Sequence, residues 1–414
     1  MKKLVFLFVL VGLWTCKNEP KVAQNKIEED VAFLADDKLE GRQTGTQGEA
    51  KASEYLISRF KEIGLQAKGT EDFLQPFSFK PKTDPHKEVE FTKNADSTIT
   101  GNNVIGYIDN NAETTIVIGA HYDHLGYGGE GSLYREKEKA IHNGADDNAS
   151  GVAVLLNLAD RLNVKNSKAE IKDSNNYLFM AFSGEEMGLL GSNYFSKNPT
   201  IDAQSINYMI NMDMVGRMKG DSTLAVYGVG TSPMFKQTLK ANNEKFKLIE
   251  NESGVGPSDH TSFYLIDVPV LHFFTGQHED YHKPSDDFDK LNYEGMNLIS
   301  DYIFDIISDL DDNGELAFRK TKNESEETPR FKVGLGVVPD YLYDGKGMRI
   351  DGTREDTPAH NAGIQKGDVV VKLGDSTVTD MMSYMRALSV FDKGDEADIT
   401  LIRGEEKIET KVKF

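Results

Sequence analysis

The sequence contains one cysteine and one tryptophan, and its basic side chains are outnumbered by acidic ones. The single Cys16 excludes a disulfide framework and any metal site built from several cysteines. With 67 Asp and Glu against 47 Lys and Arg, the formal net charge is −20, and a field of that sign repels nucleic-acid phosphates. We therefore expect no nucleic-acid partner. The composition, 38% hydrophobic over 414 residues, is that of a globular protein with two or three domains.

The first 16 residues, MKKLVFLFVLVGLWTC, have the pattern of an export signal. Two lysines precede an apolar run from Leu4 to Trp14 that is too short to cross a bilayer. Cys16 follows one residue later, after Thr15, and this arrangement resembles a bacterial lipoprotein signal in which the cysteine is lipidated. The sequence predicts an exported cell-envelope lipoprotein on the periplasmic or surface side, attached to the membrane only through Cys16. Without lipidation of Cys16, the protein would be secreted.

Apolar strands alternate with helical patterns through most of the chain. We predict strands at 115–120, 177–182, 206–212 and 269–274, and helices at 149–162, 187–196, 233–245 and 293–310. This alternation predicts an α/β fold with a mixed, mostly parallel sheet and helices on both faces. A charged segment at 320–330 reads as a linker, and the residues beyond it have the short strands and turns of a small β-rich domain. The predicted boundaries are 1–16 for the signal, 27–315 for the large domain, 316–330 for the linker and 331–414 for the small domain.

Five segments with histidine or acidic side chains follow predicted strands or open a helix. They are HYDH at 121–124, GADDN at 144–148, SGEE at 183–186, NMD at 211–213 and HEDYH at 278–282. Each alone could be a helix cap or a surface acid. Ligands of open α/β sheets bind beyond the carboxyl ends of strands, so the five segments are expected to meet in one crevice. Two histidines with several carboxylates suit a pair of zinc ions with nitrogen and oxygen donors.

Through the motifs GAHYDH, NGADDNASG, SGEEMGLLGS, NMDM and YHKPSDD, residues 27–312 resemble the co-catalytic di-zinc aminopeptidases. That family shares its zinc exopeptidase fold with glutamate-carboxypeptidase-like enzymes and glutaminyl cyclases. The resemblance implies two Zn²⁺ per chain and peptide substrates with a free N-terminus. It implies the following roles: His121 and Asp213 bind the first zinc, Glu186 and His282 bind the second, Asp146 bridges both, Glu185 is the general base, and Asp123 holds the second ring nitrogen of His121.

One departure from the family concerns the donor that stabilises the oxyanion. Some relatives have a tyrosine four residues before the aspartate of a Ser-Asp-His motif, which here is Ser258-Asp259-His260, but this chain has Val255 at that position. Either Tyr281 or His260 replaces it, or the two zinc ions suffice. The Ser-Asp-His motif itself is expected to have a supporting role.

The C-terminal region resembles a PDZ domain of the bacterial type. Its carboxylate-binding loop matches Gly334, Leu335, Gly336 and Val337, and a second signature matches residues 357–364 and 366–370. The resemblance implies that backbone amides of the loop hold the C-terminal carboxylate of a peptide, which adds a strand to the sheet edge. Such domains also serve as packing modules.

The sequence thus predicts an exported zinc-dependent aminopeptidase. A carboxypeptidase or dipeptidase on the same fold is the alternative, and a carboxypeptidase would need a basic pocket, for which Arg42, Arg135 and Arg217 are the candidates. A glutaminyl cyclase is disfavoured because cyclases use one zinc, whereas the full two-metal ligand set is present here. An inactive adaptor acting through its PDZ domain is disfavoured because no ligand is lost and Glu185 is kept.

Overall fold

The computed structural model describes residues 22–81, 90–92, 98–129, 131–134, 136, 138–168, 173–321, 332–340, 343, 345–354 and 356–414. The predicted export signal with Cys16, residue Arg135 and residues 322–330 of the predicted linker lie outside this part of the chain. Among the helices that the structure does describe, none combines the length and the apolar character needed to cross a membrane.

The large domain is built from strands β1–β9 and helices α1–α7. The strands are β1 (Gln66–Ala67), β2 (Leu74–Phe79), β3 (Ile99–Ile108), β4 (Thr114–His121), β5 (Asn175–Phe182), β6 (Ile206–Met212), β7 (Thr223–Tyr227), β8 (Lys247–Glu250) and β9 (Val270–Phe274). The helices are α1 (Val22–Leu34), α2 (Gln47–Ile63), α3 (Gly151–Lys168), α4 (Leu190–Lys197), α5 (Phe235–Asn242), α6 (His260–Tyr264) and α7 (Tyr293–Leu310).

Within the described residues these nine strands form one mixed sheet in the order β1-β3-β5-β4-β6-β9-β7-β8, with β2 paired to β3. The four central strands, β5, β4, β6 and β9, are parallel to one another. Strands β2 and β3 on one side and β7 on the other run antiparallel to their neighbours nearer the centre. The carboxyl ends of the central strands therefore meet at one edge, which is where the predicted site residues begin.

Helices cover both faces of the sheet. Successive side chains of a strand point to opposite faces, and apolar residues on both faces are buried against helices. On β4, Ile116 and Ile118 face a core shared with α1, α2, α3, α5 and α7, whereas Val117 faces a second core shared with α4 and α6. All of these strand residues are fully buried. The predicted α/β class with helices on both faces is confirmed.

The predicted helix at 187–196 begins later than expected, at Leu190. The preceding residues form a tight turn in which the amides of Gly188 and Leu189 donate to the Glu185 carbonyl at 2.8 and 2.9 Å. Leu189 has φ +59, which is not helical. This turn separates the two glutamates of the SGEE segment from the helix that follows them.

The small domain contains β10 (Val337–Pro339), β11 (Met348–Thr353), β12 (Val369–Leu373), β13 (Ser376–Thr377), β14 (Glu396–Arg403) and β15 (Glu406–Lys413), with helices α8 (Pro358–Asn361) and α9 (Met381–Leu388). Its described strands pair antiparallel in the order β10-β11-β12-β14-β15 around a core of its own, so β10 is an edge strand. Gly336 has φ +75, and a side chain there would collide with Thr357.

The start of the predicted linker packs against the large domain. The Leu316 amide donates to the Asn207 side chain at 2.7 Å, and the Arg319 amide donates to the Thr231 carbonyl at 2.7 Å. Leu316 is buried in the main core. In the structure, the large domain therefore extends past residue 315.

Candidate active site

The ends of the central strands bring four of the predicted segments together. His121 is the last residue of β4, the Glu185–Glu186 pair follows β5, Asp213 follows β6, and His282 comes eight residues after the end of β9. The turn at Ala145–Ser150, which precedes α3, supplies a further acid, Asp147.

Asp147 lies at the centre of this cluster. Its Oδ1 is 3.2 Å from His121 Nε2, which is itself 3.4 Å from Asp213 Oδ1. Its Oδ2 is 3.1 Å from His282 Nε2, which is 3.3 Å from Glu186 Oε2. Two ligands of a tetrahedral zinc ion with bonds of about 2.0–2.1 Å lie ~3.3 Å apart. The donor set and its spacing therefore fit two zinc positions that share Asp147.

The bridging role predicted for Asp146 is corrected by the structure, which brings the next residue to the cluster instead. Asp146 Oδ1 accepts the Gly216 amide at 2.6 Å, and its Oδ2 lies 3.1 Å from His278 Nε2. The Asp286 carboxylate fixes the turn by accepting the amides of Asp146 and Asp147 at 3.0 and 3.1 Å. With both amides held on one side, the two adjacent side chains diverge, and only that of Asp147 reaches the histidines.

Asp123 joins two parts of the site. Its Oδ1 accepts the Glu185 amide at 3.1 Å, and its Oδ2 accepts the Thr44 hydroxyl at 3.0 Å. His121 Nδ1 lies 3.2 Å from the Asp123 carbonyl and 3.7 Å from Asp123 Oδ1. Of these two oxygens the backbone one is nearer to the ring nitrogen, while the Asp123 carboxylate holds the segment that carries Glu185.

His282 is oriented by a short segment of the loop that follows β4. Its Nδ1 lies 2.9 Å from the Gly131 carbonyl, and its own carbonyl accepts the Leu133 amide at 2.9 Å. Since a carbonyl only accepts, Nδ1 carries a proton, and Nε2 is the ring nitrogen that faces the carboxylates. Between these two contacts, Ser132 Oγ is 2.7 Å from His142 Nε2, which ties the segment to the rest of the loop.

The buried charges shift one another strongly. Burial lowers the pKa of His282, but Glu186 and Asp147 outweigh it and raise the value to about 9. Burial likewise opposes the charge of His121, and Asp213 and Glu185 raise its pKa well above the ordinary range. Burial raises the pKa of Glu185 well above its ordinary range, against the opposing effect of His121. A buried carboxyl group with a raised pKa that lines a cavity is a candidate for acid–base chemistry.

A cavity of about 80 Å³ opens onto these groups. Its lining includes the carboxylates of Asp147, Glu185, Glu186 and Asp213 and the side chains of Met214, Tyr227, Phe274 and Tyr281. Of the two residues considered as oxyanion donors, Tyr281 lines the cavity and its ring stacks on His282 at 3.8 Å. His260 does not line it, because its ring is fully buried and stacks on His272 at 4.4 Å.

Ser258 supports Asp213 through a short hydrogen-bond chain. The Asn211 side-chain amide donates to Ser258 Oγ at 2.8 Å, and Ser258 donates to Asp213 Oδ2 at 2.7 Å. The same amide lies 3.1 Å from His272 Nδ1, and burial lowers the pKa of His272 to about 4, so this ring is neutral and accepts. The supporting role expected for the Ser-Asp-His motif thus falls to its serine.

Two buried side chains behind the site have structural roles that sequence patterns alone do not reveal. Arg42 donates to the carbonyls of Tyr122, Leu34, Asn143 and Gly144, and so joins the loops that precede the turn and follow β4. Glu49 on α2 accepts the hydroxyl of Ser183 and the amide of Gly45, and burial raises its pKa to about 7. The segment around both residues is typical of an ordinary turn before a helix. Only the folded structure shows that the two side chains are buried and which groups they contact.

The two candidates for a basic pocket that the structure describes, Arg42 and Arg217, have other partners. Arg42 is only 1% exposed and its donors are used by carbonyls. Arg217 pairs with Asp280 at 3.1 Å and lies 3.8 Å from Glu279. Among the described residues, neither of these two arginines lines the cavity.

Comparison with known proteins identifies both domains. Residues 103–307 match the model of Peptidase family M28, and residues 320–414 match that of the PDZ domain. A probable leucine aminopeptidase of Trichophyton verrucosum is 31% identical over 174 residues, which are 40% of this chain and 44% of that protein. The chain thus aligns with less than half the length of this curated relative.

Solved structures share the fold. The LapA aminopeptidase of Legionella pneumophila is 20% identical with a TM-score of 0.53, and the match covers 75% of this chain and 80% of that one. A glutaminyl cyclase of Bacteroides thetaiotaomicron is 18% identical with a TM-score of 0.55, covering 70% of this chain and 99% of that one. Through its large domain the chain belongs to peptidase family M28, and that domain is followed by a PDZ domain.

Proposed function

We propose that the protein is a metallo-aminopeptidase that removes N-terminal residues from peptides with two zinc ions and Glu185 as general base. The observation that carries the proposal is the position of Asp147, whose two carboxylate oxygens face the ring nitrogens of His121 and His282 at 3.2 and 3.1 Å. The remaining ligands are Asp213 on the first side and Glu186 on the second. Zinc ions held by these residues would acidify a bound water and polarise the scissile carbonyl.

Glu185 moves the proton in this proposal. It is next in sequence to the ligand Glu186, and Asp123 fixes its backbone through the 3.1 Å contact to its amide. Its side chain lines the cavity and is the acid there that has no ligand role. Glu185 accepts the proton of the attacking water and returns it to the leaving amine.

The shape and chemistry of the cavity favour an apolar first residue. Met214, Tyr227 and Phe274 belong to one small apolar cluster, against which Tyr281 packs, and all four line the cavity together with the carboxylates. A substrate's free ammonium would lie near the carboxylates and its first side chain against this apolar cluster. Burying a leucine side chain contributes about 1.5–3 kcal/mol, so we expect kcat/KM for leucine to exceed that for glycine by roughly ten- to a hundredfold.

The proposal extends to location and to the PDZ domain on sequence grounds. The export signal at 1–16 predicts that the enzyme acts in the cell envelope, anchored through Cys16, or is secreted. The loop Gly334–Val337 leads into the edge strand β10, which suits strand addition by the C-terminal end of a peptide. We propose that this loop binds such a peptide.

The test uses the full chain without its export signal and matched peptides with free or acetylated N-termini. Release of the first residue from free peptides alone, lost with a chelator and restored by zinc, is the expected result. Release from the carboxyl end would replace the aminopeptidase assignment by a carboxypeptidase. Cyclisation of N-terminal glutamine without hydrolysis would replace it by a cyclase. No reaction with zinc bound would leave an adaptor and refute the proposal.

A further inference from the structure

His124 lies beside the proposed metal site and has no role in the proposed function. It follows β4, and its side chain is fully buried. Its Nδ1 is 2.7 Å from Glu186 Oε1, yet neither atom has a hydrogen-bond partner among the described residues, and neither does the other ring nitrogen, Nε2. This contact has the distance of an ion pair but not the geometry of a hydrogen bond, and polar groups buried in this way require a further explanation.

The ring is held firmly in this position. A side chain on Gly144 would lie 2.5 Å from Cγ and Cδ2 of His124, so the glycine backbone packs directly against the ring. The His124 amide donates to the Arg42 carbonyl at 3.3 Å, and Arg42 in turn donates to the Gly144 carbonyl. On the other side the ring meets that of His282 edge to face, with centroids 5.8 Å apart.

Nitrogen and oxygen atoms that bind the same ion come this close without a hydrogen bond. Zinc ligands at about 2.0–2.1 Å from the ion approach one another to ~2.7–2.9 Å when the coordination number rises above four. His124, Asp147 and Glu186 each offer a ligand atom, and these atoms lie within 4.8 Å of one another. An ion there would also satisfy Nδ1 and Glu186 Oε1, neither of which has a hydrogen-bond partner among the described residues.

We propose that His124 is a further metal ligand, which binds through Nδ1 beside Asp147, Glu186 and His282. The inference rests on the proposed two-metal function. It makes the two subsites unequal: this one has two imidazoles, whereas the other has His121 as its one imidazole with Asp147 and Asp213. The subsite with more nitrogen donors is the one expected to hold zinc more tightly and to fill first.

The experiment counts the histidines bound to cobalt(II) in the full signal-free chain. Each ligating imidazole gives one exchangeable ring N–H signal that the paramagnetic ion shifts far outside the usual proton range. We expect three such signals in the wild type, from His121, His124 and His282, and two in His124→Gln. His360→Gln, at an exposed histidine of the PDZ domain, is the matched control and should keep three.

The wild-type count decides the matter even if the variant does not fold. Two signals in a wild type that binds two cobalt ions would overturn the His124 assignment and leave the proposed function standing. A wild type that binds no cobalt would refute both. A second readout is zinc affinity. His124→Gln should lower the affinity for one of the two ions by more than about 100-fold, which is the largest loss expected for a residue that only orients a ligand. A smaller loss would contradict direct ligation.

Discussion

The assignment of Asp147 rather than Asp146 as the bridging ligand can be tested sharply, because the two aspartates are adjacent and both are buried. We compare Asp147→Asn with Asp146→Asn. In Asp147→Asn, the amide nitrogen replaces one of the two oxygens that face His121 and His282 at 3.2 and 3.1 Å. An amide nitrogen has no lone pair to offer a metal, and the negative charge between the two positions is lost.

The two variants should lose different properties: Asp147→Asn loses activity, whereas Asp146→Asn loses folding stability. Loss of a shared ligand removes several kcal/mol of the stabilisation that a two-metal site supplies, and about 4 kcal/mol corresponds to a 10³-fold lower kcat/KM. Asp146→Asn keeps an oxygen for the Gly216 amide and weakens the contact to His278. Its expected cost is about 1–3 kcal/mol in the free energy of unfolding, with bound metal unchanged.

The assay measures zinc per chain after dialysis, kcat/KM on a leucyl substrate, and urea unfolding of each variant. Asp147→Asn should hold fewer than two zinc ions and lose most activity, and Asp146→Asn should hold both. The opposite pattern, with metal lost from Asp146→Asn and kept in Asp147→Asn, would refute the geometric argument and restore Asp146 as the bridging residue.

Four further outcomes follow from the same geometry. Glu185→Gln should keep both metals and lower kcat by about 10²–10⁴-fold, whereas kcat near the wild-type value in steady-state assays would remove Glu185 as the base. Arg42→Lys should lower the free energy of unfolding in urea by roughly 1–3 kcal/mol or more, because a lysine cannot serve all the carbonyls that Arg42 joins; unchanged stability would contradict this. Ser132→Ala should lower the affinity for one zinc ion by about ten- to a hundredfold in chelator competition, because it loosens the segment whose Gly131 carbonyl orients His282. Ser132→Thr, which keeps the hydroxyl, should restore that affinity. Glu49, with a pKa of about 7 in the folded state, keeps its proton at pH values where the unfolded chain has already released it. The free energy of unfolding of the wild type, measured with chelator present, should therefore fall by about 3 kcal/mol between pH 4.5 and 7 relative to that of Glu49→Gln. A rise over that range would contradict the argument.

Much of the fold could be predicted from local patterns. Strand β6 and helix α7 begin and end where the sequence places them, at Ile206–Met212 and Tyr293–Leu310. Apolar continuity marks a strand buried on both faces, and a 3.6-residue period marks α7, so neighbouring residues alone carry this information. The short β7, β8 and α6 were not predicted, since segments of 4 or 5 residues carry little periodicity, although β9, which has the same length as β7, was predicted.

The chemistry of the site was also largely present in the sequence, because the segments that carry it sit at strand ends. A parallel strand order places such ends at one edge whatever the intervening loops do, so local patterns suffice to name His121, Glu185, Glu186, Asp213 and His282. These five residues do meet around one cavity or directly beside it.

The tertiary structure decided which side chain of a pair, and which atoms, face that cavity. Spacing cannot distinguish Asp146 from Asp147, because the choice depends on how Asp286, more than 130 residues later, holds the amides of the turn. Nor can spacing show that His124 contacts Glu186, or that Arg42 donates hydrogen bonds to carbonyls of three separate segments. Local sequence sets the chemical groups at each strand end, whereas their direction is set by hydrogen bonds between residues distant in the chain.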